Sequence, residues 1–181
     1  LWQPFAPRVD GGGLRSVWKN LSGTRLRFRE EHASGRLSFE HEWSSAAGLG
    51  LVRSARLRAS AASLSVDVLD GVLDLVPPGV SVAHATTMSC LADAYKWNES
   101  AAGGRLGLYA LYAQIWDRAE PKESFEALVA WHAGLPLGSR ILLSDHQVRA
   151  FCRGEPVEAE ALTRGRKGAF LVHFTSAIDA Q

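Results

Sequence analysis

The sequence predicts a mainly β chain, a two-sheet β-sandwich carrying one or two short helices. Three observations lead there. Apolar and polar residues alternate with a period of two through most of the stretch from Arg25 to Asp67, the signature of strands with one wet face. Turn-forming glycines and prolines separate these runs. Only two stretches, 83–98 and 144–153, lengthen toward helical spacing. With 181 residues, the chain fits a single domain, 1–181, able to bury a sizeable core.

The elements follow in order. Residues 1–24, with Pro4, Pro7 and Gly11-Gly12-Gly13, read as turn-rich chain. Leu26 and Phe28 alternate with Arg25, Arg27 and Arg29, and Leu37, Phe39, His41 and Trp43 alternate with Ser38, Glu40 and Glu42. These are two strands, joined by a hairpin loop at Ala33-Ser34-Gly35. A third strand covers Gly50 to Arg58. A fourth holds Leu64, Val66 and Val68, alternating with Ser63, Ser65 and Asp67. Asp70-Gly71, between two apolar runs, predicts a hairpin turn, and Pro77-Pro78-Gly79 predicts a stop.

From Ala83 to Asn98 the period changes: Met88, Leu91 and Tyr95 lie at i, i+3 and i+7, which predicts helix or helical turns. Gly103-Gly104 opens a strand from Arg105 to Trp116 that is apolar on both faces and so belongs at the centre of a sheet. Phe125, Ala127, Val129 and Trp131 mark another strand, with Trp43 and Trp131 expected in the core. Ser144-Asp145-His146-Gln147 has the form of a helix capping box. Val148 and Phe151 then supply the apolar stripe, and Gly154 with Pro156 the stop. Ala169 to Thr175 is the last strand.

Composition narrows the classes. The chain is 46% hydrophobic and 22% charged, with net charge +1 from 20 basic and 19 acidic residues. That balance predicts no nucleic-acid partner and no pull toward an anionic membrane. No run reaches the ~18 apolar residues that span a bilayer, and no secretion signal is visible. The two cysteines, Cys90 and Cys152, read as reduced thiols. The six histidines are scattered without ligand-pair spacing, so no metal is expected, and no cofactor motif is present: Gly11-Gly12-Gly13 lacks the Lys-Ser/Thr of a phosphate loop.

One block stands apart from strand chemistry. Asp93-Ala94-Tyr95-Lys96-Trp97-Asn98-Glu99 packs acids, a base, an amide and two aromatics into seven positions. Tyr95 and Trp97 offer faces for stacking on sugar rings, and Asp93, Lys96, Asn98 and Glu99 offer hydroxyl partners. Two readings stay open at this point: a sugar site or interdomain surface, and the solvated end of a helix. Asp117-Arg118-Ala119-Glu120-Pro121 follows the apolar strand. There Arg118 suits a structural role, clamping a carboxylate, and Glu120 could instead touch ligand. A glycosidase pair of Glu99 with Glu120 needs two carboxyls ~5–10 Å apart, which spacing along the chain does not establish. Arg164-Gly165-Arg166-Lys167-Gly168 reads as a basic turn before a strand.

The order of these segments resembles a known family. Leu69-Asp70-Gly71, Val76-Pro77-Pro78, the Asp93–Glu99 and Asp117–Pro121 blocks, Ser144 to Gly154 and Arg164 to Phe170 follow one another as in the β-sandwich region of large bacterial proteins similar to cellobiose phosphorylase and the phosphorylase-like part of cyclic glucan synthases. The resemblance runs from about Trp2 to Phe174. It implies a supersandwich, a carbohydrate partner, a helical-barrel catalytic domain elsewhere in the parent protein, and a sandwich that can also carry a homodimer contact. It also implies a bacterial protein, for which a cytoplasmic location is favoured. On this reading the chain is a fragment without its catalytic half and is inactive alone. The contact residues would be Asp93, Tyr95, Lys96, Trp97, Asn98, Glu99, Arg118 and Glu120, with no catalytic residue among them. The alternatives are a stand-alone carbohydrate-binding module, which needs an exposed aromatic platform, and a small glycan-processing enzyme, which needs a cleft with paired acids.

Overall fold

The structure, a computed structural model, describes residues 1–7, 13–60, 63–112 and 126–180. The chain is mainly β, as the alternation predicts, and its strands form three sheets. They group into two compact units, Leu1–Val66 with Ser176–Gln181, and Asp67–Thr175. No helix among the described residues is long and apolar enough to cross a membrane.

In the first unit, β1 (Arg15–Lys19), β2 (Arg25–Glu31), β3 (Leu37–Ala46) and β4 (Gly50–Ala59) form an antiparallel meander in chain order. The alternation read from β2 and β3 sorts the side chains as expected. Register sets Arg27 against Glu42, Arg29 against Glu40, and Glu40 against Arg56, giving one charged face. Leu26, Phe28, Phe39, His41 and Trp43 occupy the other, where Trp43 is only half-buried. The stretch read as turns before Thr24 contains β1, whose short RSVWK pattern alternates too weakly to announce itself.

In the second unit, the long strand β5 (Leu64–Leu75) begins just before the boundary and continues through Asp70-Gly71 without turning. The predicted hairpin is therefore absent. Gly71 serves close approach instead: its φ is 156°, and a Cβ there would lie 2.0 Å from the Phe170 carbonyl oxygen. An Asp-Gly pair permits a tight turn, but a bare Cα also lets two backbones meet, and the second need prevails here.

The predicted helix over 83–98 is two short helices followed by a strand. α1 (Val82–Thr87) is capped by Ser81, whose hydroxyl accepts from the His84 amide at 3.1 Å. Thr86 and Thr87 bond back onto the carbonyls of Val82 and Ala83, the local competition that weakens β-branched helix interiors. The chain breaks at Met88 (φ −130°) before α2 (Ser89–Ala94). The proposed stripe does not face the core, since Met88 and Leu91 are both more than 40% exposed while Ala92 is buried.

β6 (Lys96–Ala101) and β7 (Leu106–Leu111) follow, then β8 (Ala127–Trp131), β9 (Arg140–Ser144), α3 (Val148–Cys152), β10 (Leu162–Arg164) and β11 (Gly168–Ile178). The expected Arg105–Trp116 strand is β7 over its described part and lies inside the sheet β10-β6-β7-β8, as predicted. Residues 113–116 and Phe125 fall outside the described residues. The capping box at Ser144 does not form. Ser144 ends β9, and α3 starts after Gln147, whose side chain bonds the Glu158 backbone instead.

The sheet β10-β6-β7-β8 packs over β5-β11-β9. Tyr109 of β7 meets Ile141 and Leu143 of β9 and Phe170 and Val172 of β11 in one core cluster. Leu142, Ala169, Leu171 and Val157 form a second cluster on the other side of β9 and β11. Two sheets packed face to face thus make this unit sandwich-like, the class of fold that the alternation predicts for 1–181.

Candidate functional site

The Asp93–Glu99 block straddles a helix-to-strand junction, and that junction decides what each residue does. Asp93 sits in the last turn of α2 and Tyr95 is its C-cap. From Lys96 the chain is extended, so successive side chains alternate across β6. Lys96 and Asn98 point inward and are buried; Trp97 and Glu99 point outward. The block is thus split between the interior and one sheet face.

The inward half is structural. Lys96 Nζ donates to Asp93 Oδ1 at 2.7 Å, with the lysine side chain only 7% exposed. Asn98 is fully buried. Its Nδ2 donates to Thr163 Oγ1 at 3.0 Å and reaches the carbonyls of Leu143 and Arg166 at 3.4 and 3.5 Å. One amide therefore ties β6 to β9, β10 and the basic turn. Among the described residues its Oδ1 is buried without a hydrogen-bond partner.

The outward half forms a surface. Register pairs Trp97 with Arg164 and Ala110, Glu99 with Leu162 and Leu108, Leu108 with Val129, and Leu106 with Trp131. Paired residues share a side, so these make one face of the four-stranded sheet. Leu162 is 44% exposed, and Val129 and Trp131 are 48% exposed. The expectation of Trp131 in the core fails because inward and outward positions swap with a one-residue shift in register: the inward residues of β8 are Leu128 and Ala130. The Arg164 guanidinium lies 4.3 Å from the Trp97 ring centroid, within cation–π range. Trp97 Nε1 donates to Glu99 Oε2 at 3.1 Å. Tyr95 rests against Tyr112, ring centroids 5.6 Å apart. Arg118 and Glu120 lie outside the described residues, so the pairing of Glu99 with Glu120 does too.

Sequence reading missed the carboxylate with the densest hydrogen bonding here. Glu160 Oε2 accepts from the amides of Leu143 (2.7 Å) and Ser144 (2.9 Å), the Ser144 hydroxyl reaches both of its oxygens at 3.1 Å, and Oε1 accepts from Gln147 Nε2 at 2.9 Å. Its own amide donates to the Ile141 carbonyl. Glu160 thereby substitutes for a neighbouring strand along the free edge of β9. No spacing rule links it to Ser144; only the folded sheet does. Beneath the same region, Tyr109 is fully buried and its hydroxyl donates to the Ala169 carbonyl at 2.6 Å. Burial, with a smaller contribution from the Glu160 charge, pushes the phenol well above its ordinary pKa.

Two further polar pairs lie apart from the block. His173 Nε2 meets Asp67 Oδ1 at 2.8 Å, an oxygen that also accepts from Thr175. Arg166 Nη1 approaches His146 Nδ1 at 3.3 Å; a guanidinium only donates, so that nitrogen is the acceptor. Among the described residues, no group of three His, Cys, Asp or Glu is arranged to hold a metal ion.

No protein-family model matches this sequence, and no curated protein matches it. The geometry therefore stands by itself. The most deeply placed polar groups of the block serve the fold, and the Trp97 row is what the block presents outward.

Proposed function

We propose that this chain is a non-catalytic β-sandwich domain of a carbohydrate-active protein, similar to the glycoside phosphorylases, and that it packs against a catalytic domain through the outer face of β10-β6-β7-β8. The observation that carries this reading is the face itself. Leu162, Leu106, Leu108, Val129 and Trp131 line two adjacent rows, and among the described residues of these strands Glu99 and Arg164 are the charges on that side. An apolar centre with aromatic and arginine residues and sparse charge is the chemistry of protein contact surfaces. The resemblance of the Asp93–Glu99 and Arg164–Phe170 segments to that family's sandwich supplies the carbohydrate context.

A second reading, a stand-alone carbohydrate-binding module, is favoured by one observation, the half-exposed indole of Trp131. Trp97 suits a sugar less well, because Arg164 already covers one of its ring faces. The test is twofold. The gene should encode a large helical domain in the same polypeptide, and hydrogen exchange in the longer protein should show β8 and β10 amides better protected than in this chain alone. Unchanged protection in the longer protein overturns the docking reading. Specific protection by cello-oligosaccharides on the isolated chain, lost with Trp131→Ala, promotes the binding module.

A further inference from the structure

In the first unit, the face of β1–β4 opposite the one that carries Phe28 and Phe39 is charged. Register sets Trp18, Arg27, Glu42 and Ser54 in one row across the four strands, and Arg29, Glu40 and Arg56 in the next. Trp18, on the edge strand β1, is half-exposed. Beside it the Arg27 guanidinium is clamped by Glu42, its Nε and Nη2 donating to Oε2 at 3.0 and 2.8 Å. Glu40 Oε1 lies 3.9 Å from both Arg27 Nε and Arg56 Nη1.

The charges are layered. The Glu40 and Glu42 side chains are only 16% and 22% exposed, whereas those of Arg27 and Arg56 are 48% and 61% exposed. Recessed carboxylates thus hold guanidiniums that meet solvent. Glu42 engages two of the five N–H donors of Arg27, which leaves the others for a ligand. Among the described residues of these strands, five arginines and three glutamates lie on this side, a surplus of two positive charges. Every cation there is an arginine, whose planar fork takes a carboxylate bidentately.

A flat ring, fixed donors and recessed acceptors on one sheet face suit a sugar ring that carries an acid. The indole stacks on the ring, Ser54 and Glu42 take hydroxyls, and the guanidiniums take the carboxylate. A nucleic-acid strand needs a run of uncompensated cations along its phosphates, and a surplus of two does not supply it. We propose that this face binds a polysaccharide bearing carboxylates, with Trp18 as its stacking platform and Arg27 and Arg56 as its acid-binding groups.

The test is titration of oligogalacturonate into the whole chain, with a malto-oligosaccharide of equal length, poly-L-glutamate and single-stranded DNA as comparisons. Oligogalacturonate should bind most tightly, and the amide shifts it causes in the wild-type chain should cluster in β1–β4. Trp18→Ala should weaken binding by about tenfold or more. Arg56→Lys, which keeps the charge and loses the fork, should weaken it severalfold. Trp131→Ala, on the sheet of the contact surface proposed above, should leave it unchanged. Equal or tighter binding of the neutral glycan, poly-L-glutamate or DNA overturns the proposal. Shifts centred outside β1–β4 in the wild-type chain do so whether or not a variant folds, as does unchanged affinity in a folded Trp18→Ala chain.

Discussion

Replacing Glu160 should damage this protein more than replacing any residue of the outward row. In Glu160→Ala, the amides of Leu143 and Ser144 and the Ser144 hydroxyl lose their acceptor, and both residues are fully buried. A buried donor left unsatisfied costs about 1–3 kcal/mol. Water reaches part of this half-buried site, so the sum for two amides and a hydroxyl falls near the low end, about 3–4 kcal/mol. For a chain of this size that lowers Tm by about 6–16 °C, at about 2–4 °C per kcal/mol. Glu160→Gln is the informative partner. An amide oxygen in the Oε2 position keeps the backbone contacts, while its NH2 faces the Gln147 NH2 now 2.9 Å from Oε1. The loss should be one hydrogen bond, about 1–1.5 kcal/mol. Urea unfolding of both variants, followed by tryptophan fluorescence, gives the two numbers. A Glu160→Ala variant within about 0.5 kcal/mol of wild type, the range of an ordinary surface change, refutes the edge-strand role.

Three other outcomes follow from the same structure. Asp93→Ala should cost about 3 kcal/mol, because it strands the nearly buried Lys96 ammonium, and Asp93→Ala/Lys96→Met should recover much of that in thermal melts. Gly71→Ala should prevent folding or cut stability severely, since its Cβ would collide with the Phe170 carbonyl; a circular-dichroism melt decides it. The Tyr109 phenol is raised by burial, so native protein should keep it protonated where unfolded chain ionises, near pH 10. Its contribution is fully present below that pH and is lost as pH rises beyond it. Stability should therefore fall more steeply above about pH 10 in wild type than in Tyr109→Phe, measured by denaturant melts across that range.

Much of the fold was legible because period-two alternation is a local signal. β2, β3 and β4, the start of β5, and β7 all follow the residues that predicted them. What failed were features set by distant neighbours. Gly71 looks like a turn until Phe170 is placed beside it. Ser144 and Gln147 look like a capping pair until Glu158 and Glu160 arrive to bond them. Lys96 to Glu99 read as a helix end because the apolar spacing of Met88, Leu91 and Tyr95 ran into them, yet pairing with β7 and β10 makes them a strand. The candidate block was found for its unusual composition, and its division into a buried and an outward half depends on that strand. Alternation alone puts Trp131 inward, but it has no intrinsic sign: one register step separates core from surface. Arg164, the partner of Trp97, is brought to it only across the sheet.

The proposed function rests on the outer face of β10-β6-β7-β8 as a contact surface. The most direct measurement is calorimetric titration of this chain with the helical domain that the proposed function expects in the parent polypeptide, using wild type, Trp97→Ala and Trp131→Ala, with a thermal melt of each. Both tryptophans lie on that face and neither lies in the core clusters. Each truncation should weaken association more than tenfold, as loss of a buried aromatic anchor costs ~2 kcal/mol or more, while melting temperatures fall only slightly. Association unchanged by both substitutions, or melts as damaged as that of a Tyr109→Ala control, would contradict it.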